Sequence, residues 1–144
     1  MKKLLVGILF IFIQSSYAET PEFLSNALDS YIEKGSNHFL PELVKGSAME
    51  HEKSVIAQGN LISQIEAFFG KPQSREVLAV CKITKRIGAT YYTLYHENGP
   101  VYGYVYSYLM KNGSEVATKF QFHTEPEQIL PYFPIQKENI CDYD

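Results

Sequence analysis

The chain has 144 residues, with 13 Lys and Arg against 16 Asp and Glu, 11 Tyr, two Cys and no Trp. That length suits one domain with a real hydrophobic core. The mildly acidic balance, with no cluster of Lys and Arg, argues against nucleic acid and against anionic membrane surfaces as partners.

Met1-Lys2-Lys3 precedes an apolar run from Leu4 to Ile13, and Gln14-Ser15-Ser16-Tyr17-Ala18 follows. A basic start, an apolar centre and small residues at the last and third-last positions are the parts of a secretory signal. The run is too short to serve as a stable bilayer anchor. Residues 1–18 are therefore expected to be removed, leaving 19–144 as one domain, periplasmic or secreted, with no membrane anchor. Loss of Lys2 and Lys3 leaves 11 basic residues against 16 acidic ones, a formal charge of −5.

Thr20-Pro21-Glu22 reads as a helix start, with Thr20 as cap and Pro21 in the first helical position. Phe23, Ala27, Leu28, Tyr31 and Ile32 recur at helical spacing, and Gly35-Ser36-Asn37 ends the helix. Phe39, Leu40, Leu43 and Val44 predict a short second helix that tolerates Pro41 in its first turn. Gly46–Lys53 is polar and reads as a loop. A third helix is predicted from a Ser54 cap to Phe69, with Val55, Leu61, Ile62, Ile65, Phe68 and Phe69 as its apolar stripe. Gly70-Lys71-Pro72 stops it.

From Arg75 onward the period changes to two. Tyrosine occupies every second position from Tyr102 to Tyr108, which a strand places on one face and a helix scatters. Four strands are predicted, Arg75–Ile87, Thr90–Glu97, Val101–Lys111 and Glu115–His123, broken at Gly88-Ala89, Asn98-Gly99-Pro100 and Asn112-Gly113. Asn-Gly is a strong hairpin signal, so the strands form an antiparallel meander. The fold class is α+β, with the helices on one face of the sheet.

The turns set the register. An Asn112-Gly113 loop pairs Leu109 with Val116, Tyr108 with Ala117, Tyr106 with Lys119 and Tyr102 with His123. An Asn98-Gly99 loop pairs Tyr95 with Tyr102 and Tyr91 with Tyr106. A turn at Gly88-Ala89 aligns Ile83 with Leu94 and Cys81 with His96. One face then holds Val77, Ala79, Cys81, Ile83, Tyr92, Leu94, Val105, Leu109, Val116, Phe120 and Phe122, and is assigned to the helices. The other gathers Tyr91, Tyr95, Tyr102, Tyr104, Tyr106 and Tyr108 with Lys119, Gln121 and His123.

The helical start, Phe69-Gly70-Lys71-Pro72 and the meander, with the stretch Lys85–Pro100, resemble the nuclear-transport-factor-like proteins. These share a cone-shaped fold with SnoaL-like proteins and ketosteroid isomerases. The resemblance implies a pocket between helices and sheet, and a homodimer formed through the outer sheet face. It carries over no catalytic pattern, because the core face offers His96 and Tyr92 but no carboxylate.

Tyrosines combine a large apolar ring with a hydroxyl that tolerates water, so the tyrosine face is expected to be a homodimer interface. A small apolar ligand is expected between Phe68, Phe69, Tyr92, Leu94, Phe120 and the helices. Cys81 beside His96 matches a thiolate with its base. In an exported chain a disulfide between Cys81 and Cys141 is the stronger reading. No metal-ligand spacing, phosphate loop or nucleophile elbow occurs, and no cofactor is expected. The expected function is a binding or interaction domain. The rival is a pocket enzyme of isomerase or dehydratase type, with His96 as base and Tyr92 or Cys81 assisting.

Overall fold

The computed structural model describes residues 19–131, 140 and 141, so the expected signal segment 1–18 lies outside it. Three α-helices, α1 (Glu22–Lys34), α2 (Phe39–Leu43) and α3 (Lys53–Phe69), precede four strands. These are β1 (Pro72–Lys82), β2 (Ile87–His96), β3 (Gly99–Leu109) and β4 (Glu115–His123). The strands form one open antiparallel sheet in the order β1-β2-β3-β4. The chain is thus α+β, with the predicted meander.

Helix α1 begins one residue later than its cap signal placed it. Pro21 is the cap residue, and its carbonyl accepts the N–H groups of Leu24 and Ser25, both at 3.1 Å. Pro21, whose side chain has no polar atom, makes no side-chain cap bond. Leu24, Ala27, Leu28 and Tyr31 form the buried stripe. Gly35, at φ +95°, ends the helix with its N–H on the Tyr31 carbonyl. The Arg75 guanidinium of β1 grips the Asp29 carboxylate of α1 through two bonds, of 2.6 and 3.0 Å. That fork fixes α1 against the sheet edge.

Helix α3 is attached more loosely. Its cap residue is Glu52, not Ser54. Val55, Ile62, Ile65 and Phe69 lie on one side, and of these Ile62 is fully buried. Leu61 and Phe68, seven residues apart, share a line one step around the helix and face outward. The predicted stripe merged these two lines and was too wide.

The register departs from expectation at all three turns. The first turn is Ile83–Arg86, because Thr84 Oγ1 accepts the N–H groups of Arg86 and Ile87 and closes it. Gly88 and Ala89 therefore belong to β2, and Cys81 pairs with Ala89, while Pro72 pairs with His96. An irregularity between Val77 and Ala79 also turns Ala79 and Cys81 onto the tyrosine side. Ile83 leaves the sheet altogether. At the second turn Glu97 and Asn98 form the loop, since Glu97 N–H bonds the Lys71 carbonyl and Asn98 N–H the Phe69 carbonyl. The pairing shifts by two, so Tyr91 faces Tyr104 and Thr93 faces Tyr102. A shift of two preserves the faces.

At the third turn the predicted pairs hold from Tyr102–His123 to Tyr106–Lys119. A shift beyond Tyr106 then pairs Ser107 with Ala117, Tyr108 with Val116 and Leu109 with Glu115. The two faces carry two cores. Under the helices, Tyr92, Leu94, Val101, Val105 and Phe122 meet Leu24, Leu28, Tyr31, Phe39 and Leu43. On the opposite face Cys81, Ala89 and Tyr91 meet Ile129, Leu130 and Ile140 of the C-terminal segment. The Cys81–Cys141 disulfide ties that segment down.

Candidate functional site

Under the helices Tyr31 of α1 and Tyr92 and His96 of β2 form one buried polar group. The Tyr31 hydroxyl and His96 Nε2 share a hydrogen bond of 3.1 Å. The tautomer decides which of the two donates. Their rings meet edge to face, with centroids 5.7 Å apart. Tyr92 is fully buried, and its hydroxyl has no partner among the described residues.

Burial pushes the Tyr31 and Tyr92 hydroxyls well above the ordinary phenol range. The Glu66 carboxylate adds to this at Tyr31, and Tyr31 adds to it at Tyr92. Burial pulls His96 below its usual value, partly offset by the Leu94 backbone and by Glu66. Neutral imidazole and neutral phenols suit this burial, with the Tyr31–His96 bond joining two of them and the Tyr92 hydroxyl and His96 Nδ1 unpartnered among the described residues. The remaining cavity, lined by Tyr31, Phe39, Ile62, Tyr92 and His96 among others, is about 10 Å³, room for roughly one water.

The lowered His96 pKa has a consequence for stability. The unfolded chain protonates this histidine below about pH 6.5, whereas the folded chain resists protonation. Stability is therefore expected to fall as pH drops below that value, and to level off once the folded ring also titrates. Melting temperatures measured across that range for the native chain and for His96→Gln should diverge, with the variant less pH-sensitive. Parallel curves would remove His96 from the account.

The residues predicted to line one pocket separate. Tyr92 and Leu94 belong to the filled core, and Phe120 is half-buried and stacked on Phe122, with centroids 6.4 Å apart. Phe68 is 78% exposed. Phe69 packs against Gly99, where a Cβ would come within 2.8 Å of its ring. The Cys81 thiolate and its His96 base do not exist as a pair. Cys81 is bonded to Cys141, with Cα atoms 5.3 Å apart, and it lies on the other sheet face. Such a bond is consistent with an oxidising compartment outside the cytoplasm. Among the described residues no helix is long and apolar enough to cross a membrane, and no three His, Cys, Asp or Glu side chains converge as metal ligands.

The tyrosine face is real as a surface, but much of it is already covered. Tyr91 is buried, and Tyr102, Tyr104 and Tyr106 pack beside the cluster that includes Ile129, Leu130 and Ile140. The Tyr104 ring sits 6.0 Å from Tyr91 and 5.5 Å from Tyr106, and its hydroxyl donates to Gln121 Oε1. Arg86 lies 4.6 Å above the Tyr108 ring. Tyr95, at the margin, donates to Glu76.

One feature escaped the sequence reading. Between α2 and α3 lies an open groove of about 480 Å³, lined by Leu40, Pro41, Val44, Val55, Ile56 and Gly59. Ser36, Asn37, Glu50, His51 and Asn60 supply its polar rim. Ile56 projects into solvent there, 70% exposed. At Gly59 a Cβ would meet the Leu40 side chain at an ordinary contact distance of 3.9 Å. Ile56 was the available signal, an apolar residue beside the chosen stripe.

Comparison with protein-family models, with curated proteins and with solved structures finds no match for the chain.

Proposed function

We propose that the chain is an exported binding domain that holds a small apolar ligand in the groove between α2 and α3. The observation that carries this is the groove itself. Its volume falls within the range of ligand sites, and an apolar floor with a polar rim is their usual chemistry. The filled space beside Tyr31, Tyr92 and His96 supports binding over the isomerase-like reaction, because a substrate has no room at the one base. Kinship with the nuclear-transport-factor-like proteins is part of the proposal, supported by three helices followed by a four-stranded meander. The signal-like start of the sequence and the disulfide support a periplasmic or secreted setting.

Short alkyl alcohols such as hexanol are the probe. They are expected to raise the melting temperature of the native chain, since a ligand of the folded state stabilises it. Ile56→Glu should abolish that shift while leaving the melting temperature without hexanol nearly unchanged, because its side chain is exposed. An equal shift in both proteins contradicts the assignment.

The homodimer expected from the tyrosines gives way, in this proposal, to a monomer whose tyrosines seat the C-terminal segment. Light scattering of the purified chain should report the mass of one copy. A mass of two copies that falls to one in a Tyr95→Glu, Tyr108→Glu variant would restore the dimer.

A further inference from the structure

A second cavity, of about 170 Å³, lies at the opposite end of the sheet from the Tyr31–His96 pair. Gly88 and His96 are eight residues apart on β2, roughly 26 Å. Lys82, Gly88 and Ser107 sit opposite one another in a row across β1, β2 and β3, so they share one face. Two residues along β2, Thr90 lines the same cavity, and Pro21 closes it from the start of α1.

Buried hydroxyls line the cavity beneath the exposed Lys82, Lys85 and Glu115. Thr90 and Ser107 are each 1% exposed. Ser107 donates to Glu115 Oε1 at 2.5 Å, whereas among the described residues the Thr90 hydroxyl has no partner. Gly88 also leaves a bare strip between walls of opposite charge. A Cβ there would come within 2.9 Å of Ser107 Oγ and 3.9 Å of Glu115 Oε1. Lys82 stands on the other side of that strip, with Lys85 in the following turn, and no ion pair joins either lysine to Glu115. Arg86 is committed elsewhere, with Nε on the Leu109 carbonyl and its guanidinium over Tyr108.

We propose that this cavity binds a small zwitterion of amino-acid size. Lys82 and Lys85 hold its carboxylate, and Glu115 holds its ammonium group. A simple anion would meet the Glu115 carboxylate, and a simple cation would meet the lysines. Only a ligand carrying both signs satisfies both walls. The site is separate from the groove between α2 and α3 and does not depend on it.

The test is a nuclear magnetic resonance titration of the purified chain with glycine and serine, beside acetate and ethylammonium. The amino acids should shift the amide signals of Lys82, Gly88, Thr90 and Ser107 to saturation at millimolar concentration. Acetate and ethylammonium should bind at least about tenfold more weakly, each having lost one charge-assisted contact. Lys82→Met and Glu115→Gln should each weaken glycine by a similar factor, and the same spectra report whether each variant is folded. Absence of saturable shifts at these amides in the native chain would overturn the proposal. Acetate or ethylammonium binding as tightly as glycine would also overturn it, leaving a site for one sign of charge.

Discussion

Gly103→Ala is expected to destabilise the domain by about 3 kcal/mol, the upper part of the range for overpacking a filled core. Gly103 is the gap in the tyrosine-bearing strand, and it lies directly opposite Tyr92. A Cβ at 103 would overlap the far end of the Tyr92 ring, at Cζ and the hydroxyl. The ring has nowhere to go, because Tyr92 is fully buried and the adjoining cavity is only about 10 Å³. Gly103 does not have positive φ, so the cost is steric and not conformational. That distinction is measurable. In urea unfolding, Gly103→Ala with Tyr92→Leu should be more stable than the two single costs added together, since the smaller side chain vacates the space. Additive costs would mean that the two residues do not press on each other.

Removing the disulfide is expected to have the other large effect. Cys81 and Cys141 are 60 residues apart in sequence, and closing a loop of that length stabilises a chain by about 4 kcal/mol in the entropy model, an upper estimate. Cys81→Ser with Cys141→Ser should lower the urea midpoint accordingly. It should also loosen Ile129, Leu130 and Ile140 from the sheet and expose Tyr91 to solvent. Second-derivative tyrosine absorbance reports that exposure directly. A lowered midpoint with unchanged tyrosine absorbance would mean that the C-terminal segment stays seated through its apolar contacts alone.

The period-two tyrosines identified β3, and turn chemistry identified the meander, because both signals are local. What local chemistry could not carry was the tie between distant segments. Asn98-Gly99 is a strong hairpin dipeptide, yet the loop settles at Glu97-Asn98 because the Phe69 and Lys71 carbonyls accept its N–H groups. The face assignments survived that error because the shift was two residues. They did not survive at Cys81, where the irregularity after Val77 moved the following residues to the other side. The disulfide was legible from compartment and cysteine number, not from the register.

Functional features divided in the same way. Tyr92 and His96 were placed correctly toward the helices, but α1 supplied the partner, Tyr31, and no strand register could predict that contact. The tyrosine face was visible as a patch, while its cover comes from Ile129, Leu130 and Ile140, beyond the last strand. The groove between α2 and α3 depends on how two helices sit against each other. In sequence it leaves only Ile56, an apolar residue outside the predicted stripe, and Gly59, whose lack of a side chain reads equally well as close packing.

An amide-resolved titration with hexanol distinguishes the proposed ligand groove between α2 and α3 from the space beside Tyr31. Saturable shifts are expected to be confined to Leu40, Val44, Val55, Ile56, Gly59 and Asn60, and to be lost in Ile56→Glu. Shifts centred instead on Tyr31, Tyr92 and His96 would contradict the groove assignment, and would return the ligand to the space beneath the helices.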